Sequence, residues 1–343
     1  MKKKILVTGG TGYIGSHTSV ELINEGFEVV IIDNLYNSEA EVVDGIEKIT
    51  GVRPFLEIFD LCEKEKVDLF LKNNKDIEAI IHFAAYKAVG ESVCKPLDYY
   101  RNNLVSLINL LDAMQKYGIC NIVFSSSCTV YGQPEILPVT EEAPLQMAMS
   151  PYGNTKQIGE EIIRDTTISK DNIKAISLRY FNPIGAHSSA LIGELPRGVP
   201  ENLVPYITQT AIGLRDELKV FGDDYDTPDG SCIRDYLHVS DLAKAHVVAV
   251  KRLIGNINKK NYEVFNLGTG KGVSVLEAIQ SFEKISGVKL KYKIAGRREG
   301  DIVKIWADPS LANMELGWKT EYTLDDSMKS AWAWEIQIRK PKE

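Results

Sequence analysis

The stretch VTGGTGYIG, Val7 to Gly15, leaves the chain around it little freedom. Gly9, Gly12 and Gly15 are spaced three apart, and Gly10, Gly12 and Gly15 also satisfy the G-x-G-x-x-G pattern, so two registers fit one loop. It follows an apolar run, KILV, that reads as a first strand, and it opens a helical segment at Tyr13 and Ile14. Glycines allow a tight strand-to-helix turn and let backbone N–H groups approach a pyrophosphate, which then lies at the positive end of the helix. Eighteen residues after Gly15, Asp33 closes the next apolar run, EVVIID. A carboxylate there accepts from the adenosine ribose hydroxyls and repels a 2′-phosphate, which points to NAD rather than NADP.

The rest of the first half repeats that rhythm. Short runs rich in Val and Ile alternate with helix-compatible segments: Tyr13 to Glu25, Glu39 to Thr50, and a long one after EAIIHFA. Strands buried on both faces read as continuous apolar runs, as EVVII, NIVFSS and KAISLRY do, and a parallel sheet covered by helices on both sides is expected. The fold class is therefore α/β, a Rossmann-type doubly wound parallel sheet with a smaller, discontinuous α/β substrate-binding domain. After Tyr180 the texture changes to Pro- and Gly-studded segments that suit loops around a ligand. The expected division is a dinucleotide-binding domain over 1–180, with return elements near 234–268, and a substrate domain over 181–343.

Composition narrows the class of ligand. Forty Lys and Arg against 47 Asp and Glu leave a net charge of −7, which favours neither nucleic acid nor an anionic membrane. No apolar run approaches the ~18 residues needed to span a bilayer. The five cysteines are widely scattered and the five histidines lack metal-ligand spacing, so reduced thiols, a cytoplasmic location and no metal site are expected. A small soluble ligand remains.

SPYGNTK, Ser150 to Lys156, supplies chemistry. Residues at i and i+4 share a helix face, so Tyr152 and Lys156 can point into one pocket. A phenol with an ordinary pKa of about 10 is a weak base at neutral pH, but a nearby ammonium and a cationic nicotinamide both favour phenolate. The strand VFSSS ends just before Cys128, in the place where open α/β sheets bind ligands, and exposes the hydroxyls of Ser125, Ser126 and Ser127, with Thr129 following.

On these residues, and on TGGTGYIGSHT, DNLYNS, HFAAYKAVGESV, PLDYYRNN, RYFNPIGAH, IRDYLHVSDLA, NLGTG and RREGD, the chain resembles the extended short-chain dehydrogenase/reductase family over nearly its whole length. Within that family it looks like the branch that inverts C4 of UDP-glucose and UDP-galactose. The resemblance implies that Tyr152 takes the proton from the sugar O4, that Lys156 and Ser127 hold and tune it, and that a 4-keto-sugar turns over between two hydride transfers. For NAD it adds Asn34 and Asn37 beside Asp33, Asp60 and Leu61 at the adenine, Phe83, Ala84, Lys87, Asn102, Ser125 and Phe181. For the UDP-sugar it implies Lys87, Ser127, Thr129, Asn182, Asn202, Leu203, Phe221, Arg234, Arg298 and Asp301. Two arginines suit a pyrophosphate because each offers a planar fork of donors. An ordinary surface pair is the competing reading of Arg234 and Asp235.

Four residues after the RREGD aspartate, the family places a residue beside the sugar's C2 substituent. Here it is Ile305, stiff and intermediate in size, which implies preference for UDP-glucose and UDP-galactose over their N-acetyl counterparts. The resemblance also implies a homodimer through the apolar stripe Leu97, Tyr100, Leu104, Leu107, Ile108, Leu111 and Met114. A sister 4,6-dehydratase would carry Thr-Asp-Glu where this chain has Ser127, Cys128 and Thr129. Another UDP-sugar enzyme of the family, such as a uronate epimerase or decarboxylase, stays open, as does a non-catalytic NAD-binding protein.

Overall fold

The computed structural model describes residues 2–170, 172–298 and 301–340. The first half alternates as expected: β1 (Lys4–Thr8), α1 (Tyr13–Asn24), β2 (Glu28–Asp33), α2 (Val42–Thr50), β3 (Phe55–Ile58), α3 (Lys64–Asn73) and β4 (Ile77–His82). Two short helices, α4 (Val89–Cys94) and α5 (Pro96–Tyr100), lead through a π-helical turn at Arg101–Val105 into α6 (Ser106–Tyr117). Then come β5 (Asn121–Ser127), α7 (Pro151–Ser169) and β6 (Lys174–Tyr180).

The second half is built of smaller pieces: β7 (Asn182–Ile184), α8 (Leu203–Ala211), β8 (Leu218–Phe221), β9 (Ile233–Arg234) and β10 (Tyr236–His238). There follow α9 (Val239–Ile254), β11 (Tyr262–Leu267), β12 (Val273–Ser274), α10 (Val275–Ser286), β13 (Tyr292–Ala295), α11 (Ser310–Glu315) and α12 (Leu324–Ile338).

Seven strands form one parallel sheet in the order β3-β2-β1-β4-β5-β6-β11. Alternation along the strands assigns the two faces. Ile5 and Val7 join Val29, Ile31, Ile81 and Val123 under α1 and α9, while Leu6 joins Val30, Ile32, Ile80 and Ile122 under α3, α6 and α7. Both faces are therefore dry, which explains the unbroken apolar runs. The strand order reverses between β1 and β4, where open sheets of this kind bind ligands at their carboxyl ends.

β11 pairs with β6 and α9 packs on α1, so the chain returns to the sheet after β7 to β10 have left it. A separate apolar cluster joins α8, α10 and α12, with Val204, Ile207, Phe282 and Met328 at its centre.

Candidate functional site

Ser150 caps α7 by accepting from Gly153 N at 3.1 Å, and Pro151 takes the first helical position, where a missing N–H costs nothing. That start fixes Tyr152 half-buried on the first turn and Lys156, 4% exposed, one turn on. The ammonium of Lys156 donates to Ser125 O at 2.6 Å and lies 5.8 Å from the centroid of the Tyr152 ring. The end of β5 and the start of α7 are thus tied by a bond from a side chain to a backbone carbonyl.

Burial dominates the protonation of both groups. It pushes the Tyr152 phenol well above its ordinary value, with Tyr180 and Cys128 adding to the rise and a hydrogen bond with Ser127 opposing it. It pulls Lys156 down to about 7, against the attraction of Glu160. The sequence suggested an ammonium that lowers the phenol; in the protein alone desolvation outweighs that effect and the phenol keeps its proton. Ser127 Oγ accepts from Thr129 N at 3.2 Å, and Thr129 Oγ1 is buried without a hydrogen-bond partner. Ser125 Oγ is spent on Tyr180 OH.

The glycine loop has the shape of a phosphate cradle. Gly9 adopts φ +71°, and a Cβ there would fall 2.7 Å from Ala84 N. A Cβ at Gly15 would fall 2.3 Å from Gly9 O, so only glycine lets α1 close on the loop. Gly10 instead faces the side chain of Ile31. Of the two sequence registers, Gly9, Gly12 and Gly15 make the turn, with Gly12 as the N-cap, its backbone extended, and no side chain capping the helix.

Asp33, 8% exposed, closes the loop from β2: Oδ2 accepts from Thr11 N at 3.2 Å, and Oδ1 from Leu35 N at 2.9 Å and Ser38 Oγ at 3.2 Å. Asn34 donates to Asp60 Oδ2 at 3.3 Å, Leu61 is buried, and Asn37 is exposed. Asp60, Tyr36, Tyr86 and Asn102 line one depression of about 290 Å³. Phe83 follows β4, its ring centroid 4.6 Å from that of His246 with the two planes tilted by 51°. Tyr13 OH donates to Gly185 O at 2.6 Å, joining the first turn of α1 to the segment after β7. These residues fit a dinucleotide: a tight glycine turn at the head of α1, and a carboxylate at the end of the next strand.

Across the cleft, Arg298 donates to Asp301 Oδ1 through Nε at 3.1 Å and Nη2 at 2.6 Å, and Arg234 Nη2 lies 4.0 Å from the same oxygen. The Arg298 guanidinium stands 5.4 Å over the ring of Phe221. Four sequence candidates, Phe221, Arg234, Arg298 and Asp301, therefore meet. Glu299 and Gly300 of the same motif lie outside the described residues. Asn182 begins β7, its N–H bonded to Asp235 O at 2.9 Å, and Leu203 starts α8 against the second-half core. Ile305 is 2% exposed, packed with Val130, Tyr131, Phe181, Ala307 and Cys128.

Asp235 corrects the surface-pair reading. It is wholly buried, accepting from Thr269 N and Oγ1 at 2.8 and 2.6 Å and from the N–H groups of Gly270 and Ala307, each at 3.2 Å. A carboxylate among that many donors is an organising centre for the strand that carries Arg234.

Two further groups escaped sequence reasoning. Glu194 Oε1 accepts from Lys87 Nζ at 3.1 Å and Asn202 Nδ2 at 2.6 Å, joining a candidate of the cofactor side to one of the sugar side. Glu160, one turn beyond Lys156, is buried against Arg179 in a two-bond pair at 2.9 and 2.6 Å and accepts from Ser126 Oγ at 2.5 Å. Its spacing of four after Lys156 was the only available signal. Asn154, between Tyr152 and Lys156 on α7, donates to Tyr100 OH at 2.7 Å. Among the described residues no cluster of three or more His, Cys, Asp or Glu is arranged to hold a metal, and no helix is long and apolar enough to cross a membrane.

Residues 6–331 match the family described as GDP-mannose 4,6 dehydratase. UDP-glucose 4-epimerase of Bacillus subtilis is 50% identical over 331 residues, covering 96% of each chain. The crystal structure of UDP-glucose-4-epimerase from Stenotrophomonas maltophila, with bound NAD and formylated UDP-arabinopyranose, superposes with a TM-score of 0.94 at 48% identity, covering 98% of both chains. That of the Bifidobacterium longum UDP-glucose 4-epimerase, in complex with NAD+ and UDP, gives 0.92 at 47% identity, covering 97% of this chain and 98% of that one.

Proposed function

Because the chain belongs to the UDP-glucose 4-epimerase family, within the extended short-chain dehydrogenases/reductases, we infer that it interconverts UDP-glucose and UDP-galactose with NAD as cofactor. The observation that carries this reading is the junction of β5 and α7, where Lys156 donates to Ser125 O and Tyr152 hydrogen-bonds with Ser127. NAD, when bound, would supply reversible hydride transfer at C4 of the sugar, so that the inversion involves no net oxidation.

The chain's own residues handle the proton. Tyr152, protonated in the protein alone, would release that proton to solvent once a cationic nicotinamide adds its charge to that of Lys156, and as phenolate would accept the proton from O4, the hydroxyl of Ser127 holding the oxygen in place. Thr129 Oγ1, buried and unpartnered, is free to bond the sugar. Arg234 and Arg298 grip the pyrophosphate, Asp301 takes the uridine ribose, and Asn182, Asn202, Leu203 and Phe221 complete the UDP side. Asp33, Asn34, Asn37, Asp60, Leu61, Phe83, Ala84, Lys87, Asn102, Ser125 and Phe181 enclose NAD.

Elimination of water in the manner of a dehydratase needs its own acid and base beside Ser127. The neighbours here are a thiol, which burial pushes up to about 12 at Cys128, and a hydroxyl, Thr129, so that chemistry lacks its carriers. A cofactor domain over 1–180 with returns near 234–268, a substrate domain over 181–343, a homodimer and a cytoplasmic setting complete the proposal.

Incubation with UDP-galactose, without added NAD and with chromatographic separation of products, tests the reading. UDP-glucose is expected to appear, and to fall by about 10²–10⁴-fold in Tyr152→Phe, the range typical of a lost general base. UDP-galactose that stays unchanged even after NAD is supplied would sink it.

A further inference from the structure

A segment of the sugar side reaches across the cleft onto the adenosine side. It runs from Gly193 to Asn202 at the head of α8, and it is pinned from behind. Gly193 bridges Ala186 and lies against the indole of Trp334, where a Cβ would fall 2.5 Å from the ring. Trp334 Nε1 donates to Glu194 O at 2.8 Å, and Arg215 Nη2 donates to Gly198 O at 3.0 Å.

From the front of this strap Arg197 extends its fork to two backbone carbonyls of the loop after β2. Nη1 donates to Tyr36 O at 2.9 Å and Nη2 to Ser38 O at 2.5 Å. That loop holds the adenosine carboxylate: Ser38 Oγ donates to Asp33 Oδ1 and shares a 2.7 Å bond with Thr11 Oγ1, while Thr11 N donates to Asp33 Oδ2. An unbroken chain of hydrogen bonds thus runs from the strap through Ser38 to Asp33 and the glycine loop. At the strap's other end, the Glu194 carboxylate holds Asn202, on the UDP side, and Lys87, on the NAD side.

An exposed arginine on a surface loop ordinarily contributes little. Three features set Arg197 apart: its fork meets two carbonyls at once, its acceptors belong to a segment with no strand or helix of its own, and Leu35 within that segment sits at φ +57°. Charge-assisted bonds to such a segment are what hold it in one conformation.

We propose that Arg197 latches the 34–38 loop over the adenosine end of NAD, and that the strap bearing it couples this latch to the UDP site at Asn202. The proposal rests on the reading that NAD occupies this cleft. To leave, NAD must open the loop and break both Arg197 bonds; UDP, by ordering the head of α8, steadies the strap and slows that opening. In so far as the slower opening lowers the dissociation constant of NAD, the coupling is reciprocal, and bound NAD lowers that of UDP by the same factor.

Release of NAD from loaded protein, followed with and without UDP, tests it. Arg197→Ala is expected to release NAD about tenfold or more faster than the unmodified chain, as loss of bonds to a charged donor implies. UDP is expected to slow release from the unmodified chain more than from the variant. Arg197→Lys, which keeps the charge but reaches one carbonyl at a time, should fall between them, and it stands in for the alanine variant under the same criteria if that one does not fold. Release from Arg197→Ala within about twofold of the unmodified rate, with thermal unfolding unchanged, would overturn the latch, and equal slowing by UDP in both proteins would overturn the coupling. An unmodified chain that takes up no NAD fails differently, against the cofactor reading itself.

Discussion

Tyr152 and Lys156 were legible because helical geometry alone places i and i+4 together. What lysine does there was not, since its partner is Ser125 O, a backbone carbonyl that no letter of the sequence announces. Glu194 was hidden for a related reason: its meaning comes from Lys87, 107 residues away. Ile305 shows the opposite limit, a position the motif located but whose surroundings only the fold supplies. It is enclosed by Phe181, Tyr131 and Cys128, so its branched side chain stiffens a packed wall rather than projecting into open space. If that wall limits the space at the sugar's C2, Ile305→Ala should turn over UDP-N-acetylgalactosamine, which the unmodified chain converts weakly beside UDP-galactose. The truncation should also cost about 2–5 kcal/mol of stability, as large-to-small core changes do. Parallel assays on the two substrates check this. A variant that gains no N-acetyl turnover, or an unmodified chain that converts both substrates equally, removes Ile305 from the specificity wall.

The stripe from Leu97 to Met114 reads in sequence as one helix face, yet the structure divides it. A π-helical turn at Arg101–Val105 separates α5 from α6, and the wider turn rotates the residues on either side relative to one another. Leu107, Leu111 and Met114 of α6 go to the core, whereas Leu97, before the turn, remains 72% exposed; Ile108, 43% exposed, lies on α6 itself, off the face that enters the core. A local rearrangement of hydrogen bonding leaves no trace in apolar periodicity, which is why the stripe looked continuous. The turn also presents Asn102 and Asn103 inward, Asn103 bonding Tyr86 and Thr155. Ile168 on α7 and Val93 on α4 are exposed as well, adding to the apolar side chains that α4–α7 present to solvent. If this surface pairs two copies of the chain, the doubly charged variant Leu97→Glu/Ile108→Glu should sediment as a monomer under conditions in which the unmodified chain is a dimer. An unmodified chain that sediments as a monomer at micromolar concentration contradicts the pairing.

Most of the sheet was readable, because its inner strands are dry on both faces and announce themselves as apolar runs, whereas the edge strand β3, with Phe55 and Ile58 more than half exposed, carries no such run and went unread. The reach of the second half back across the cleft was not readable either, since Tyr13 to Gly185 and Arg197 to Tyr36 join segments more than 150 residues apart through carbonyl acceptors. Within the sheet's own layer, Lys156 of α7 is 4% exposed and donates to Ser125 O at the end of β5. That placement has a consequence for the stability of the whole chain. Lys156 titrates at about 7 in the fold, chiefly through burial, with Glu160 drawing it upward, against about 10.5 in the unfolded chain. Between those values the unfolded chain binds one more proton than the folded one, so this group makes stability rise with pH, by up to ~1.4 kcal/mol per unit. The contribution is fully present above the unfolded value and is lost as pH falls through about 7. The buried histidines lie lower, His17 and His82 at about 3 and His238 and His246 at about 4, and so do not act in this window. Lys156→Met, similar in length and uncharged, should therefore show a flatter dependence of unfolding free energy on pH between 7 and 9 than the unmodified chain without cofactor. Equal slopes in chemical denaturation would mean that Lys156 keeps its proton throughout, and that the ammonium is already in place before any ligand arrives.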